Sequence, residues 1–301
     1  MYYCVSPNIT NENEIEDLFN ICGYKYERGF WKYINKVGQK EESLITTLKY
    51  KDLIVGHYAF LKQKIILDDE VIPICFASQV MIHPEHRGIK NIKLLINEAQ
   101  LNALNNGYKH ILGFPNRKID IIYEKFFSWQ LLEKKNLYTK ALIENSFKEQ
   151  NTKNLLDKID AINFSYKNND KVVNGFLLDY SELSHKIFDN NKKNKFDLLR
   201  INEKKNEIYI ILKYHKNEKE EMESHLLFFT KELNKYHLNL IENYLHQKGI
   251  LRFSNWKYNF ITDDYILDKR FNTFYYKNLT EEKLNFDSFN LSMINCDVYY
   301  F

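Results

Sequence analysis

A mixed α/β fold, in which a central sheet carries helices on both faces, is predicted by three features of the 301-residue sequence. Residues 52–67 and 71–82 read as two apolar, β-branched strands joined by a turn at Asp68-Asp69-Glu70. A helical pattern, a short strand and a second helical pattern follow, and strand–helix–strand order forces a parallel crossover beside the antiparallel hairpin. A second strand–helix–strand run near 225–256 repeats that order.

Each element has a local reason. Helices are expected near 12–22 and 29–37, and a strand at 44–49 precedes the hairpin. The helix at 88–105 places Ile92, Leu95, Ile96 and Ala99 on one face, and Asn106-Gly107 stops it. Residues 108–114 form a short strand broken by Pro115, and a helix is expected over 118–127. Residues 146–170 are polar with a helical middle and read as a connection, which assigns one domain to 1–145 and another to 146–301, with the boundary between 140 and 175. Beyond it, strands are expected at 172–178, 206–214 and 225–229, then a helix at 231–247. That helix places Leu233, Tyr236, Leu240, Ile241 and Tyr244 on one face, ends at Gly249 and is followed by the strand at 250–256. Asp263-Asp264 reads as a turn.

Composition narrows the function classes. The chain is 44% hydrophobic and 15% aromatic, enough for a sizeable core and contrary to disorder. Its 43 basic and 40 acidic residues are interspersed, so a nucleic-acid footprint is not expected and any anion site is local. Cys4, Cys22, Cys75 and Cys296 lie far apart, without the spacing of a disulfide framework or a zinc site. No 18-residue apolar stretch occurs and the start lacks signal-peptide character, so the expected setting is cytoplasmic, without membrane insertion.

The chemistry concentrates in Ile82-His83-Pro84-Glu85-His86-Arg87-Gly88-Ile89-Lys90-Asn91-Ile92, where a strand turns into a helix. A helix start presents unpaired backbone N–H groups and about half a positive charge, which together bind phosphate. Gly88 lets the backbone come close, Pro84 ends the strand ladder, and Arg87 and Lys90 add charge.

This stretch resembles the GNAT acetyltransferase superfamily, whose motif runs apolar-x-Pro-x-x-Arg-Gly-x-Gly-x-Gly/Ala. Lys90 stands where the second glycine is usual. A second segment, 114–126, resembles the family's Asn-(x)6-Tyr-Glu-Lys-x-Gly-Phe pattern through Asn116 and Tyr123, with Phe127-Ser128-Trp129 replacing its ending. Together these cover about residues 40–140.

The resemblance implies two tandem GNAT-like domains, the second degenerate, and acetyl-CoA or another acyl-CoA as co-substrate. It implies cofactor contacts at Met81, Ile82, Arg87, Gly88, Ile89, Lys90, Asn91, Ile92 and Asn116, with Tyr123 as general acid for the leaving thiolate. His83 and Gln79 are candidates for touching the acceptor, as is the aromatic-basic stretch 28–33; for His83 a solvated loop histidine is the plainer reading, while a core strand residue and a surface-packing helix account equally well for Gln79 and for 28–33. His83 and His86 lack a helix and a third ligand, so no metal is expected. The implied reaction is acyl transfer to a primary amine, foremost that of a nucleotide-linked amino sugar in surface-polysaccharide assembly. Two alternatives stay open: a tRNA-dependent aminoacyl ligase, and a non-catalytic ligand-binding or scaffold protein.

Overall fold

The computed structural model describes residues 1–6, 12–24, 28–37, 41–142, 156–158, 175–176, 196–203, 206–217, 219–229, 231, 233–256, 262–289 and 291. In chain order the elements are β1 (Tyr2–Val5), α1 (Glu12–Ile21), α2 (Phe30–Lys32, continuing as a π turn over Tyr33–Val37), β2 (Leu44–Tyr50), β3 (Leu53–Leu67) and β4 (Glu70–Ile82). Then come α3 (Ile89–Asn105), β5 (His110–Gly113), α4 (Arg117–Phe127), β6 (Gln130–Ala141), β7 (Leu156–Lys158) and β8 (Gly175–Phe176). The remainder are β9 (Phe196–Glu203), β10 (Asn206–Lys216), β11 (Met222–Phe229), α5 (Lys235–Gln247), β12 (Arg252–Trp256) and β13 (Ile266–Asn278). The chain divides into two compact units, one of residues 1–133, 168–182 and 273–290, the other of 134–167, 183–272 and 291–301.

In the first unit the strands run β1-β2-β3-β4-β5 and then the end of β13. Asp68 and Asp69 turn the β3–β4 hairpin with φ of 50° and 67°, a left-handed conformation that aspartate tolerates. β4 and β5 are parallel, joined by α3, and β5 pairs antiparallel with residues 275–278 of β13. Ile92, Leu95, Ile96, Ala99 and Ala103 of α3 and Ile119, Tyr123 and Phe127 of α4 bury against one face of this sheet. Ile15, Leu18 and Phe19 of α1 and Trp31 of α2 bury with Ile45, Ala59 and Met81 as a separate cluster. The helices therefore cover both faces.

In the second unit the order is β6-β12-β11-β10-β9-β7. β11 and β12 are parallel across α5, the same strand–helix–strand arrangement as β4–α3–β5. Its core gathers Leu199, Ile210, Leu226, Leu240, Ile241, Leu245 and Phe253.

Several expectations need correction. On the expected face of α5, Leu240 and Ile241 are buried and Tyr244 packs against the same core, but Tyr236 is 45% exposed, while Leu238 and Leu245, which were not expected there, are buried. Residues 156–158 are strand, not helix. Only 175–176 of the expected strand at 172–178, and only 156–158 of the connection at 146–170, lie within the described residues. Strands β1, β6 and β9 were not expected, and β13 was expected only as a strand-like run after Asp263-Asp264. β6, with the sequence QLLEKKNLYTKA, and β13, ILDKRFNTFYYKN, are each interrupted by three consecutive charged residues, Glu133-Lys134-Lys135 and Asp268-Lys269-Arg270, so neither shows a continuous apolar run. No helix among the described residues is long and apolar enough to cross a membrane.

Candidate functional site

β4 leads into the turn with its ladder intact, since His83 N–H donates to Val55 O at 2.8 Å. Antiparallel ladders alternate, so the Ile82 carbonyl faces away from β3. It accepts from Arg87 Nε (3.2 Å) and Cys22 Sγ (3.5 Å). Pro84–His86 is one 3-10 turn, and His83 closes it: its Nδ1 accepts from Glu85 N–H (3.3 Å) and its carbonyl from His86 N–H (2.9 Å). His83 is thus a cap within the turn. His86 lies across it, with Nδ1 3.0 Å from the Tyr2 hydroxyl.

Gly88 begins α3 with φ 158° and ψ 156°, a region that essentially only glycine occupies, and no side chain caps the helix. The amides of Asn91 and Ile92 both bond to Gly88 O at 3.1 Å, so these two do not join an anion cradle. Their side chains also turn inward: Asn91 Nδ2 donates to His86 O (2.8 Å), and Ile92 belongs to the core. Among the described residues no hydrogen bond uses the amides of Gly88, Ile89 and Lys90, and all three residues are exposed. These three N–H groups stand at the positive end of a 17-residue helix, where backbone geometry favours an anion, and Arg87 and Lys90 are exposed beside them. Burial pushes the Cys22 thiol and the Tyr24 hydroxyl up, and the neighbouring Arg87 guanidinium opposes both shifts. The amino end of α5 is different, because Asn234 Oδ1 accepts from His237 N–H (3.0 Å) while His237 Nδ1 accepts from Asn234 N–H (3.2 Å). That reciprocal cap closes the equivalent corner.

β4 and β5 pair over Cys75–Ala77 and Ile111–Gly113, and the described pairing ends there, leaving Ser78–Ile82 beyond it. At this level β4 bulges: Ser78 faces Ala59 and Met81 faces His57, so Gln79 and Val80 together oppose Tyr58. Gln79 takes φ 57°. The Tyr58 hydroxyl lies 2.5 Å from that of Tyr123, which is 2% exposed and stacked on Trp129 at 4.3 Å. Trp129 N–H donates to Tyr123 O, and Ser128 adopts φ 53°, so serine fills the left-handed helix-ending position expected of glycine. Asn116 caps α4, its Oδ1 accepting from Ile119 N–H at 3.2 Å.

On the α1–α2 face, Trp31 Nε1 donates to His57 Nε2 (2.9 Å), which leaves Nδ1 as the protonated nitrogen, 3.0 Å from Gln79 O. Asn35 Nδ2 bridges Trp31 O and Gln79 Oε1, each at 3.0 Å. The side chains that face the bulge from this side are therefore Trp31, Asn35 and His57. Nearby, Asn13, Glu16, Asp17, Arg28, Phe30 and Trp31 line a cavity of about 320 Å³.

No protein-family model matches the sequence, and no curated protein matches it. Solved structures match its fold. A GCN5-related N-acetyltransferase from Anabaena variabilis is 12% identical, covering 93% of this chain and 73% of its own, with a TM-score of 0.66. A protein of Enterococcus faecalis described as a probable N-acyltransferase is 10% identical, over 93% and 72% of the two chains, with a TM-score of 0.68. The fold is that of the GCN5-related N-acetyltransferases. A Saccharomyces cerevisiae N-myristoyltransferase with bound myristoyl-CoA aligns on the same fold at 11% identity, over 91% and 78%, with a TM-score of 0.60.

Within this GNAT fold the expected residues separate. Gly88, Ile89, Lys90 and Arg87 stand together at the α3 corner, Met81 and Ile82 lie on the strand end behind it, and Gln79 sits at the bulge. Asn116 and Tyr123 belong to α4 on the α3 side of the sheet. Sequence reasoning passed over Tyr58 and His57, although a histidine after Gly56 in the run LIVGHYAFL is itself a signal, since a buried imidazole demands partners.

Full burial pushes the His57 pKa down from 6.5 to about 4. Folded His57 stays neutral between those values while the unfolded chain protonates it, so its contribution is complete above pH 6.5 and is lost as pH falls toward 4. The difference is about 3 kcal/mol. Urea unfolding of wild type and His57→Gln across this range is expected to give stability curves that converge by that amount toward pH 4; parallel curves would refute the assignment.

Proposed function

We propose that the chain transfers an acyl group from acyl-CoA to a primary amine, with the open amino end of α3 holding the coenzyme pyrophosphate. The observation that carries this reading is the set of amides at the exposed residues Gly88, Ile89 and Lys90 that no described hydrogen bond uses, directly beyond the level where β4 leaves β5. Those donors match a doubly anionic group, with Arg87 and Lys90 supplying charge. The structural neighbours, N-acetyltransferases and an N-myristoyltransferase with bound myristoyl-CoA, support the reaction class.

In the proposed reaction the neutral amine attacks the thioester carbonyl, the new C–N bond replaces the C–S bond, and the departing sulfur takes a proton. Backbone donors of β4 near Met81 and Ile82 polarise the carbonyl, and the Tyr123 hydroxyl, hydrogen-bonded to Tyr58, is the proton source. Asn116 serves the pantetheine arm by fixing the start of α4. The acceptor lies on the α1 side, reached past Gln79 and His83. His57, its pKa pushed down to about 4, is too weakly basic to act as the base. An amine that titrates near neutrality therefore suits the site, which favours an amino sugar carried on a nucleotide, in the cytoplasm, for surface-polysaccharide assembly. The second unit is a degenerate GNAT-like domain, a reading supported by its repeated strand–helix–strand and its side-chain-capped helix.

Mass spectrometry of the protein with acetyl-CoA or myristoyl-CoA and a panel of nucleotide amino sugars, polyamines and peptides tests this. Acylated amino sugar is the expected product. Acylation of another amine alone removes the sugar assignment, and no product from any pair removes the enzyme assignment. Tyr123→Phe is expected to lower kcat by roughly 100-fold or more with donor affinity unchanged, as for loss of a general acid; full activity would strip Tyr123 of this role.

A further inference from the structure

The second unit contains a cluster that the acyl-transfer reading does not use. His215 on β10 is the direct cross-strand partner of Glu223 on β11, and His225 lies two residues further along the same face of β11. One ligand atom from each of the three falls within 4.8 Å of the others. His215 Nε2 is 4.0 Å from Glu223 Oε2, and His225 Nε2 is 3.1 Å from Glu223 Oε1. Glu223 is 1% exposed.

We propose that His215, Glu223 and His225 form a binding site for one divalent transition-metal ion.

Two imidazoles and one carboxylate are a borderline donor set, suited to zinc or cobalt and poorly suited to magnesium or calcium. Tetrahedral zinc with bonds of about 2.0–2.1 Å places its ligand atoms about 3.3 Å apart. The three ligand atoms lie within 4.8 Å of one another, wider than that spacing by up to about 1.5 Å, and rotation of the His215 side chain, which is 23% exposed, draws them together. Three protein ligands leave a fourth position for water.

A metal carboxylate needs outer support, and Glu223 has it. Its Oε1 accepts from Ser254 Oγ (2.5 Å) and Arg270 Nη2 (2.6 Å), which leaves Oε2 directed toward His215. Burial works against its charge, but the hydrogen bonds from His225, Arg270 and Ser254 hold its carboxyl well below the usual carboxylate range. Arg270 would repel a cation, yet it stands on the Oε1 side and is also paired with Asp268 (2.8 Å), which accepts from Thr139 Oγ1 (3.1 Å). Thr139 Oγ1 in turn lies 2.7 Å from Ser254 Oγ. Lys213 and His215 share a face of β10, so the local charge before any ion enters comes from Glu223 and Asp268 against Lys213 and Arg270. Water on the fourth position, deprotonated by the metal, offsets part of the added charge.

The test uses the full chain, stripped with a chelator and titrated with cobalt(II) alone, then with zinc(II) in competition. Wild type is expected to develop a cobalt visible band that saturates at one equivalent, to lose it on addition of zinc, and to gain thermal stability with either ion. His215→Ala, on the partly exposed edge of the cluster, and Ser254→Ala, in the outer support, are expected to weaken binding at least tenfold while the circular dichroism is unchanged. Absence of a saturable cobalt band in wild type, or wild-type affinity in folded His215→Ala, would overturn the proposal and leave a buried hydrogen-bonded ion network.

Discussion

Arg87→Glu is expected to weaken acyl-CoA binding by about 1–3 kcal/mol, or roughly 5- to 150-fold, when donor affinity is measured by calorimetry. Arg87 is exposed at the α3 corner, where it adds a cation beside the amides of Gly88, Ile89 and Lys90. The substitution also places a carboxylate where phosphate is to sit. Its effect on folding is expected to be small, because the side-chain contact with the strand is a single hydrogen bond from Nε to Ile82 O. The loss should shrink at high salt, since exposed charges are screened. Unchanged affinity would remove Arg87 from the cradle and leave the amides to act alone.

Trp31→Ala is expected to cost about 3–5 kcal/mol of unfolding free energy, measured by urea denaturation at neutral pH. Trp31 is 1% exposed, packed among Ile15, Leu18, Phe19 and Met81, so its removal leaves a large cavity between α1 and the sheet. It also removes the donor to His57 Nε2, leaving a buried acceptor unsatisfied. Trp31→Phe separates these effects, keeping most of the volume while losing the hydrogen bond, and is expected to cost about 1–3 kcal/mol. Because His57 holds Gln79 O at the bulge, both variants should also disturb acceptor binding more than donor binding. A stability loss below about 1 kcal/mol for Trp31→Ala would show that this face tolerates collapse.

The first unit was legible in the sequence where local chemistry and tertiary role coincide. β3, β4 and α3 each carry their own signal: a β-branched run, a paired-aspartate turn, a helical apolar face ended by Asn106-Gly107. The α3 corner was legible for the same reason, since Pro84 and Gly88 mark a backbone requirement that no packing decides. Other features depend on partners distant in sequence. β13 pairs with β5 more than 150 residues away, and Asp268-Lys269-Arg270 breaks its own apolar residues into short pieces. The Tyr58–Tyr123 pair and the Trp31–His57–Gln79 chain join elements that nothing local relates. Ser128 shows the limit of pattern reading: it departs from the expected glycine, yet its φ of 53° performs the same backbone task. His215, Glu223 and His225 escaped notice because they come together through cross-strand register rather than through a metal-ligand spacing.

The central claim is that coenzyme phosphates rest on the main chain where α3 begins. It is tested most directly by following the backbone amide resonances of the deuterated protein during titration with CoA and, separately, with pantetheine, which lacks the pyrophosphate. The expected result is that CoA moves the amide signals of Gly88, Ile89 and Lys90 more than any others of α3, and that pantetheine leaves these three in place. Unmoved signals at all three positions with saturating CoA, or equal movement with pantetheine, would contradict it.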